Sequence, residues 1–411
     1  MKVLHLTPIY APSYSGSALH FQRLSETLAS RGHEVSVITA NALDYRAFWV
    51  KSLPVNNLAA KEVINGVQVK RLPVCRRHSS KSYWRLVHYS WKYRLPGSDW
   101  LRTWYDGPIL RGIGEAARGD FDIVCAGLTP SMMVVYGRRI ADKLGVPYVV
   151  IPGLHTDNPF NTERANIARI LRSADHVCPS TTFERDVLIS DFAIDPDKIS
   201  VAGCGVNPTD FDNADGLRFR SKHGIPADAP IVLFVGAEVA HKGLLVLVEA
   251  MRAVWSEYPE AFLVIAGVRS SASEQLNRIL TEDKSLAQRV IRCSSFDDSE
   301  KADIFDACDV FAMPSWSESF GIVYLEAWMR SKPVIGCRGG AVETVISHNQ
   351  DGILVDPKNS SDLTQALLKL LGDANLRARL GANGKKKTIE YHTWDKVTDR
   401  LQEAYRSLGV K

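Results

Sequence analysis

Two stretches of the chain open in the same way, and that repetition constrains the fold more than any other feature. Residues 2–7 form a short apolar run, 8–17 a loop of Pro, Tyr, Ser and Gly, and 18–30 a helical stripe through Leu19, Leu24 and Leu28 that closes at Gly32. A second apolar run follows at 34–39. The pattern restarts at 231–236, with a loop to Gly243, a helix carrying Leu247, Met251 and Val254, and a second run at 262–267. Strand, loop, helix and strand in this order make a right-handed crossover, the seed of a parallel sheet. Ligands on such sheets bind at the carboxyl ends of the strands, which places the loops at 8–17 and 237–243 at two mouths. A chain of 411 residues exceeds what one core usually serves, so two α/β domains are expected. Further apolar runs at 121–126, 147–151, 176–178 and 199–202 extend the first sheet, and those at 290–293, 310–313 and 334–336 the second.

Several classes of protein are excluded early. Seven cysteines, with no Cys-x-x-Cys pair, fit neither a disulfide framework nor a zinc site and predict free thiols in a reducing compartment. The N-terminus lacks the apolar core of a signal peptide, and no apolar run approaches the roughly 18 residues of a membrane span. The expected location is cytoplasmic, with at most peripheral contact at the inner membrane face. No nucleic-acid-binding signature stands in the sequence.

The chemistry concentrates between Ser315 and Pro333. A polar turn ends at Gly321, and Ile322, Val323, Leu325 and Met329 then recur at helical spacing, so a helix is expected to begin near Phe320 and Gly321. A helix start carries unpaired N–H groups and a positive dipole end, suited to a phosphate, and glycine lets a ligand approach the main chain. Glu318 and Glu326 bracket that start. Carboxylates repel phosphate, so their fitting partners are uncharged hydroxyls beside it. A diphosphate flanked by two polyols, a nucleotide sugar, meets both demands. Lys242 at the mouth of the second sheet supplies a compact cation for charge developing on the diphosphate.

Pro314-Ser315, Glu318-x-Phe-Gly, Glu326-Ala, Lys332-Pro-Val-Ile, Gly339-Gly340 with Glu343, and Asp351-Gly-Ile-Leu-Val form one ordered series. The series resembles the nucleotide-sugar site of the retaining glycosyltransferases of family GT4, with their Glu-x7-Glu signature, and the resemblance runs over nearly the whole chain. It implies the GT-B fold: two Rossmann-like α/β domains facing a central cleft. Residues 1–204 would bind acceptor, joined by a linker at 205–216 to a nucleotide-sugar domain at 217–393, with a helix at 394–411 packing back on the first. It implies metal-independent transfer of a hexosyl unit from a nucleoside diphosphate sugar, UDP- or GDP-hexose, to a hydroxyl with retention, without a cofactor or a covalent protein intermediate. Glu318 would hold donor-sugar hydroxyls and Glu326 the ribose diol. Gly16 would meet the donor phosphate, Phe320, Gly321 and Ile322 would form the diphosphate cradle, Ser295 would lie in the loop facing the base, and His155 would face the transferred sugar. Ser15 stands where the family has a first glycine, and Ala237 where an arginine is usual, which leaves more of the diphosphate to Lys242. Two alternatives share the fold: a nucleotide-sugar epimerase, and a non-catalytic nucleotide-sugar-binding protein.

Charge is split between the halves. Residues 1–200 hold 25 Lys or Arg against 18 Asp or Glu, so the totals of 50 and 46 leave 25 against 28 for the rest. Within the basic half, residues 76–111 carry eight Lys or Arg, two Asp and eight aromatics, four of them tryptophans. Trp84, Val87, Trp91 and Leu95 share one helical stripe. That stripe either packs on its own domain or lies in the headgroup region of an anionic membrane. A membrane-facing segment points to a lipid-linked acceptor and to surface polysaccharide or glycolipid assembly, with a soluble carbohydrate acceptor as the other option.

Overall fold

In the computed structural model, which describes residues 1–13, 15–76, 81–155, 164–294, 296 and 298–410, the chain divides into two compact units. One comprises Met1–Cys204 with Trp394–Lys411, the other Gly205–Thr393.

The first unit is built on seven strands: β1 (Lys2–Leu6), β2 (Glu34–Ala40), β3 (Lys61–Ile64), β4 (Val67–Leu72), β5 (Ile123–Gly127), β6 (Tyr148–Ile151) and β7 (His176–Val177). Their order is β3-β4-β2-β1-β5-β6-β7, parallel except for the edge hairpin of β3 and β4. That hairpin turns through Asn65 and Gly66, both at positive φ (47° and 82°), the geometry whose backbone twist matches paired strands. The apolar run at 199–202 adds only a single bridge, Ile199 to Val177, rather than a strand. Val3, Leu4 and Leu6 of β1 and every residue of β5 and β6 are buried, as parallel strands covered on both faces must be.

Helix Gly16–Ser30 covers one face and starts two residues earlier than its apolar stripe predicts. The reason is Ser15: its hydroxyl accepts the Ala18 N–H at 3.3 Å and caps the helix. Against this helix lies the C-terminal helix Trp394–Ser407, burying Trp394, Val397, Leu401 and Tyr405. Arg31 ties the pair by reaching Asp395, Asp399 and Gln402. Two histidines are sealed in this layer. His5 contacts Ser25 Oγ and Tyr405 Oη, and His20 contacts Cys204 Sγ with its ring edge-on to Trp394. Burial pushes His5 down to about 3 and His20 down to about 4, so both are neutral core groups.

The aromatic segment forms helices Lys81–Lys92 and Ser98–Asp106, which pack on each other. The stripe drawn from the sequence does not hold together as a buried face. Val87 is fully buried and Trp91 half-buried beneath the Arg102 guanidinium, but Trp84 and Leu95 are exposed. The covered side is centred on Val87 and Ser90, about a quarter-turn away from Trp84.

The second unit carries six parallel strands: β8 (Ile231–Val235), β9 (Phe262–Ala266), β10 (Val290–Cys293), β11 (Val310–Ala312), β12 (Val334–Cys337) and β13 (Gly352–Val355). Their order is β10-β9-β8-β11-β12-β13, so the chain reverses direction across the sheet between β8 and β11. In open parallel sheets that switch point opens a crevice beyond the strand ends. Helix Ile322–Met329 follows β11 there and is held from behind by helix Ala374–Tyr391. Glycine inside a helix costs about 1 kcal/mol relative to Ala, yet this supporting helix holds Gly381 and Gly384. A Cβ on Gly384 would lie 2.1 Å from the Trp328 ring, and one on Gly381 1.8 Å from the Ser331 carbonyl oxygen. The two glycines therefore let the Glu326-bearing helix seat against its support.

Candidate functional site

After β8 the chain runs through a 3-10 turn, Ala240–Lys242, into Gly243 at φ +77°. A Cβ at Gly243 would lie 2.2 Å from the Pro314 carbonyl oxygen, so only glycine allows the loop after β8 to touch the loop after β11. Ser315 Oγ and the Trp316 N–H then both donate to the His241 carbonyl, at 2.9 and 3.0 Å. This double tie brings Lys242 and Glu318 into a direct ion pair, with 22% and 7% of their side chains exposed. Sequence spacing gives these two residues separate tasks; the fold makes them neighbours.

Gly321 is at φ +89° and caps helix Ile322–Met329 with no side-chain hydrogen bond, so the first-turn N–H groups face outward with the dipole. The helix begins at Ile322, slightly later than the sequence suggests. A Cβ at Gly321 would meet the Tyr324 ring at 2.5 Å. Tyr324 is itself locked by its hydroxyl, which donates to the Met313 carbonyl at 2.7 Å. Phe320 is turned into the interior, edge-on to His392, so it can contribute only main chain to a ligand. Gly321 and Ile322 stay half-exposed.

Glu326 projects from the first turn and a half of this helix and is 4% exposed. One carboxylate oxygen pairs with Lys301, on helix Asp298–Ala307. The other, Oε2, is buried with no hydrogen-bond partner. A buried acceptor left unpaired is costly, of order 1–3 kcal/mol, so it marks a place where a donor is wanted.

The neighbouring loops complete the strand ends. Gly339 and Gly340 both have positive φ, and the Gly339 N–H donates to Glu343 at 2.7 Å. Beside Ala237, Glu238 is buried and committed to Arg292 and the Ser273 hydroxyl. Lys242 is thus the lysine this loop presents. Ser295 lies outside the described residues.

Gly16 and His155 belong to the first unit. Gly16 is exposed in the first turn of its helix, and His155 is exposed at the end of the turn that follows β6. That turn is held by Glu184, which is 1% exposed and accepts the Leu154 N–H at 2.6 Å and the Ser180 N–H at 2.7 Å. Burial pushes the Glu184 carboxyl up to about 7, the backbone donors opposing only part of the desolvation.

Lys301 and Glu184 carry no sequence signal as site residues, whereas Ser315 and Tyr324 lie inside the stretch at 315–333 that the sequence marks, without a sign of what each contacts. Lys301, Ser315 and Glu184 each act through a partner distant in sequence. Among the described residues no group of three His, Cys, Asp or Glu stands where it could hold a metal ion, and no helix is long and apolar enough to cross a membrane.

Two parallel-sheet units of this kind define the GT-B class of glycosyltransferase fold, and solved structures match along essentially the whole chain. Sucrose-phosphate synthase of Thermosynechococcus elongatus matches with TM-score 0.76 at 20% identity, covering 99% of both chains. HepE of Anabaena, solved with UDP and glucose, matches with TM-score 0.73 at 17% identity, covering 99% of this chain and 100% of its own. At the level of sequence, residues 15–205 match the glycosyl transferase 4-like domain and residues 217–387 the glycosyl transferases group 1. D-inositol 3-phosphate glycosyltransferase of Acidothermus cellulolyticus is 31% identical over 323 residues, 74% of this chain and 70% of that protein. The chain belongs to the GT4-type, group 1 glycosyltransferases.

Proposed function

We propose that the enzyme transfers a hexosyl unit from a nucleoside diphosphate sugar to a hydroxyl acceptor with retention of anomeric configuration, in the assembly of a surface polysaccharide or glycolipid on the cytoplasmic side. The observation that carries the donor assignment is Glu326 Oε2, a buried unpaired acceptor one and a half turns behind an open helix start. The ribose diol donates to Glu326 while the diphosphate takes the N–H groups at Gly321 and Ile322 and the charge of Lys242. Glu318, pinned by Lys242, turns its remaining acceptor capacity to the hydroxyls of the sugar. By resemblance to the family, Gly16 is assigned to the phosphate, His155 to the transferred sugar and Ser295 to the base.

In the transfer, the anomeric C–O bond to the diphosphate breaks and a C–O bond to the acceptor forms on the same face. The acceptor proton passes to the leaving phosphate oxygen, so neither a protein nucleophile, a metal nor a cofactor is required. Lys242 and the helix dipole stabilise the charge on the departing diphosphate. Because the Anabaena relative was solved with UDP and with UDP-glucose, a UDP-hexose is the first donor to test and a GDP-hexose the second.

The test is thermal shift of the whole chain against UDP, GDP, ADP and their hexose conjugates, since a ligand bound only by the native state raises the melting temperature. One nucleotide should stabilise the wild type and fail to stabilise Glu326→Ala. Equal stabilisation of both proteins would overturn the placement of the ribose, and no shift with any nucleotide would overturn the donor assignment.

A further inference from the structure

Among the described residues, fourteen large hydrophobic side chains are exposed, and seven of them lie between positions 84 and 104: Trp84, Leu86, Tyr89, Tyr93, Leu95, Trp100 and Trp104. They stand on the outward sides of helices Lys81–Lys92 and Ser98–Asp106 and on the turn between them. Trp100 and Trp104, one helical turn apart, are 40% and 47% exposed, while Arg102 and Thr103 between them are buried. Exposed tryptophans and tyrosines on adjacent helices are not a solvated face, and large apolar patches on a soluble protein mark an interaction site.

The charges on this surface say what covers it. Its two acids are neutralised inward: Asp99 is paired with the buried Arg102, and Asp106 with the buried Arg164. Apart from Arg102, the cations whose side chains are described do the opposite. Arg85, Lys92, Arg94 and Arg111 are exposed. The outward surface of residues 81–111 is therefore aromatic and cationic with its acidic charge withdrawn. Amphipathic rings at headgroup depth beside lysine and arginine are the composition of a protein face resting on an anionic bilayer.

We infer that helices Lys81–Lys92 and Ser98–Asp106 form a docking face for an anionic phospholipid bilayer, with Tyr93, Trp100 and Trp104 entering the interface and Arg85, Lys92 and Arg94 meeting lipid phosphates. The inference deepens the glycolipid part of the proposed function and rests on it only for the acceptor the membrane would present. The helix-and-turn construction explains why the sequence stripe misleads. Val87 and Ser90 anchor the first helix to the unit, which leaves Trp84, Arg85, Leu86 and Tyr89 facing outward.

The experiment is vesicle co-sedimentation of the full chain with phosphatidylcholine vesicles, with and without phosphatidylglycerol. Three proteins are compared: wild type, Arg85→Gln with Lys92→Gln and Arg94→Gln, and Trp100→Ser with Trp104→Ser. All five positions are exposed, and an unchanged melting temperature confirms that each variant folds. Wild type should bind the phosphatidylglycerol vesicles, and bind them less as salt is raised. Each cation at an anionic surface contributes about fivefold in partitioning, so the triple variant should lose on the order of 100-fold. The tryptophan pair should lose binding that salt does not restore. Wild-type binding that is absent, or that is indifferent to phosphatidylglycerol, would overturn the inference, as would binding that both variants retain. So would a dimer that the tryptophan pair dissociates, which would make a second copy of the chain the occupant. Nucleotide thermal shifts of the same variants should match wild type, so a failed membrane test leaves the donor assignment standing and a failed donor test leaves the membrane result readable.

Discussion

The contact between Gly243 and Pro314 is where the geometry of the donor site can be tested most sharply, by Gly243→Ala. Two separate costs arise. Alanine at φ +77° is left-handed, which costs about 1–2 kcal/mol for a residue with a Cβ. Its methyl would also lie 2.2 Å from the Pro314 carbonyl oxygen and 2.7 Å from the carbonyl carbon, both backbone atoms that cannot swing aside as a side chain could. Forcing extra volume into packed structure costs about 1–3 kcal/mol more. The two together come to about 2–5 kcal/mol. Gly339→Ala supplies the control: its φ is +81°, but nothing lies within 4 Å of an added Cβ, so only the backbone cost of about 1–2 kcal/mol applies. Urea unfolding of both variants, compared at unchanged m, gives the difference. The second effect is on function. Relief of the clash separates the loop after β8 from the loop after β11, and Lys242 from Glu318, so Gly243→Ala should also lose nucleotide-induced stabilisation. Equal destabilisation by the two substitutions would refute the argument that backbone contact, rather than φ alone, fixes glycine at 243.

Glu318→Ala should abolish transfer, by about 100-fold or more, while leaving the fold intact, as checked by donor turnover beside circular dichroism; near wild-type turnover would remove Glu318 from the site. Glu184 favours its protonated form in the folded chain, so its contribution to stability is present below about 4.5 and is lost as pH rises through about 7. Glu184→Gln lacks that titration, and the melting-temperature difference between wild type and this variant should fall across the window. His5 and His20 have folded values depressed to about 3 and about 4, so stability is present above about 6.5 and is lost as pH falls, at up to about 1.4 kcal/mol per pH unit for each. His20→Gln should flatten the acid limb of the stability profile measured by urea titration at successive pH values.

The loops that matter follow from local spacing and residue type: the opening of each α/β unit, the glycine ahead of the helix at 322, Lys242 at the mouth of the second sheet and Glu326 within the helix. The edge hairpin at Asn65-Gly66 escapes the apolar pattern, because its charged strand β3 lacks the run that marks the others. The run at 199–202 misleads for the converse reason: apolar residues in series show that a segment is buried, not that it finds a strand to pair with.

The repeated parallel α/β architecture and the chemical character of one helix start are written in the chain itself, because hydrophobic period, glycine and capping chemistry act over a few residues. Which charges meet is a matter of tertiary packing. Lys242 with Glu318, Lys301 with Glu326, and Glu184 with the turn before His155 join residues from 25 to 76 positions apart. The outward turn of Trp84, Trp100 and Trp104 is decided at the same level. A helical period identifies an apolar face, but whether that face is covered depends on which neighbouring helix reaches it, and that is settled by packing across the whole unit.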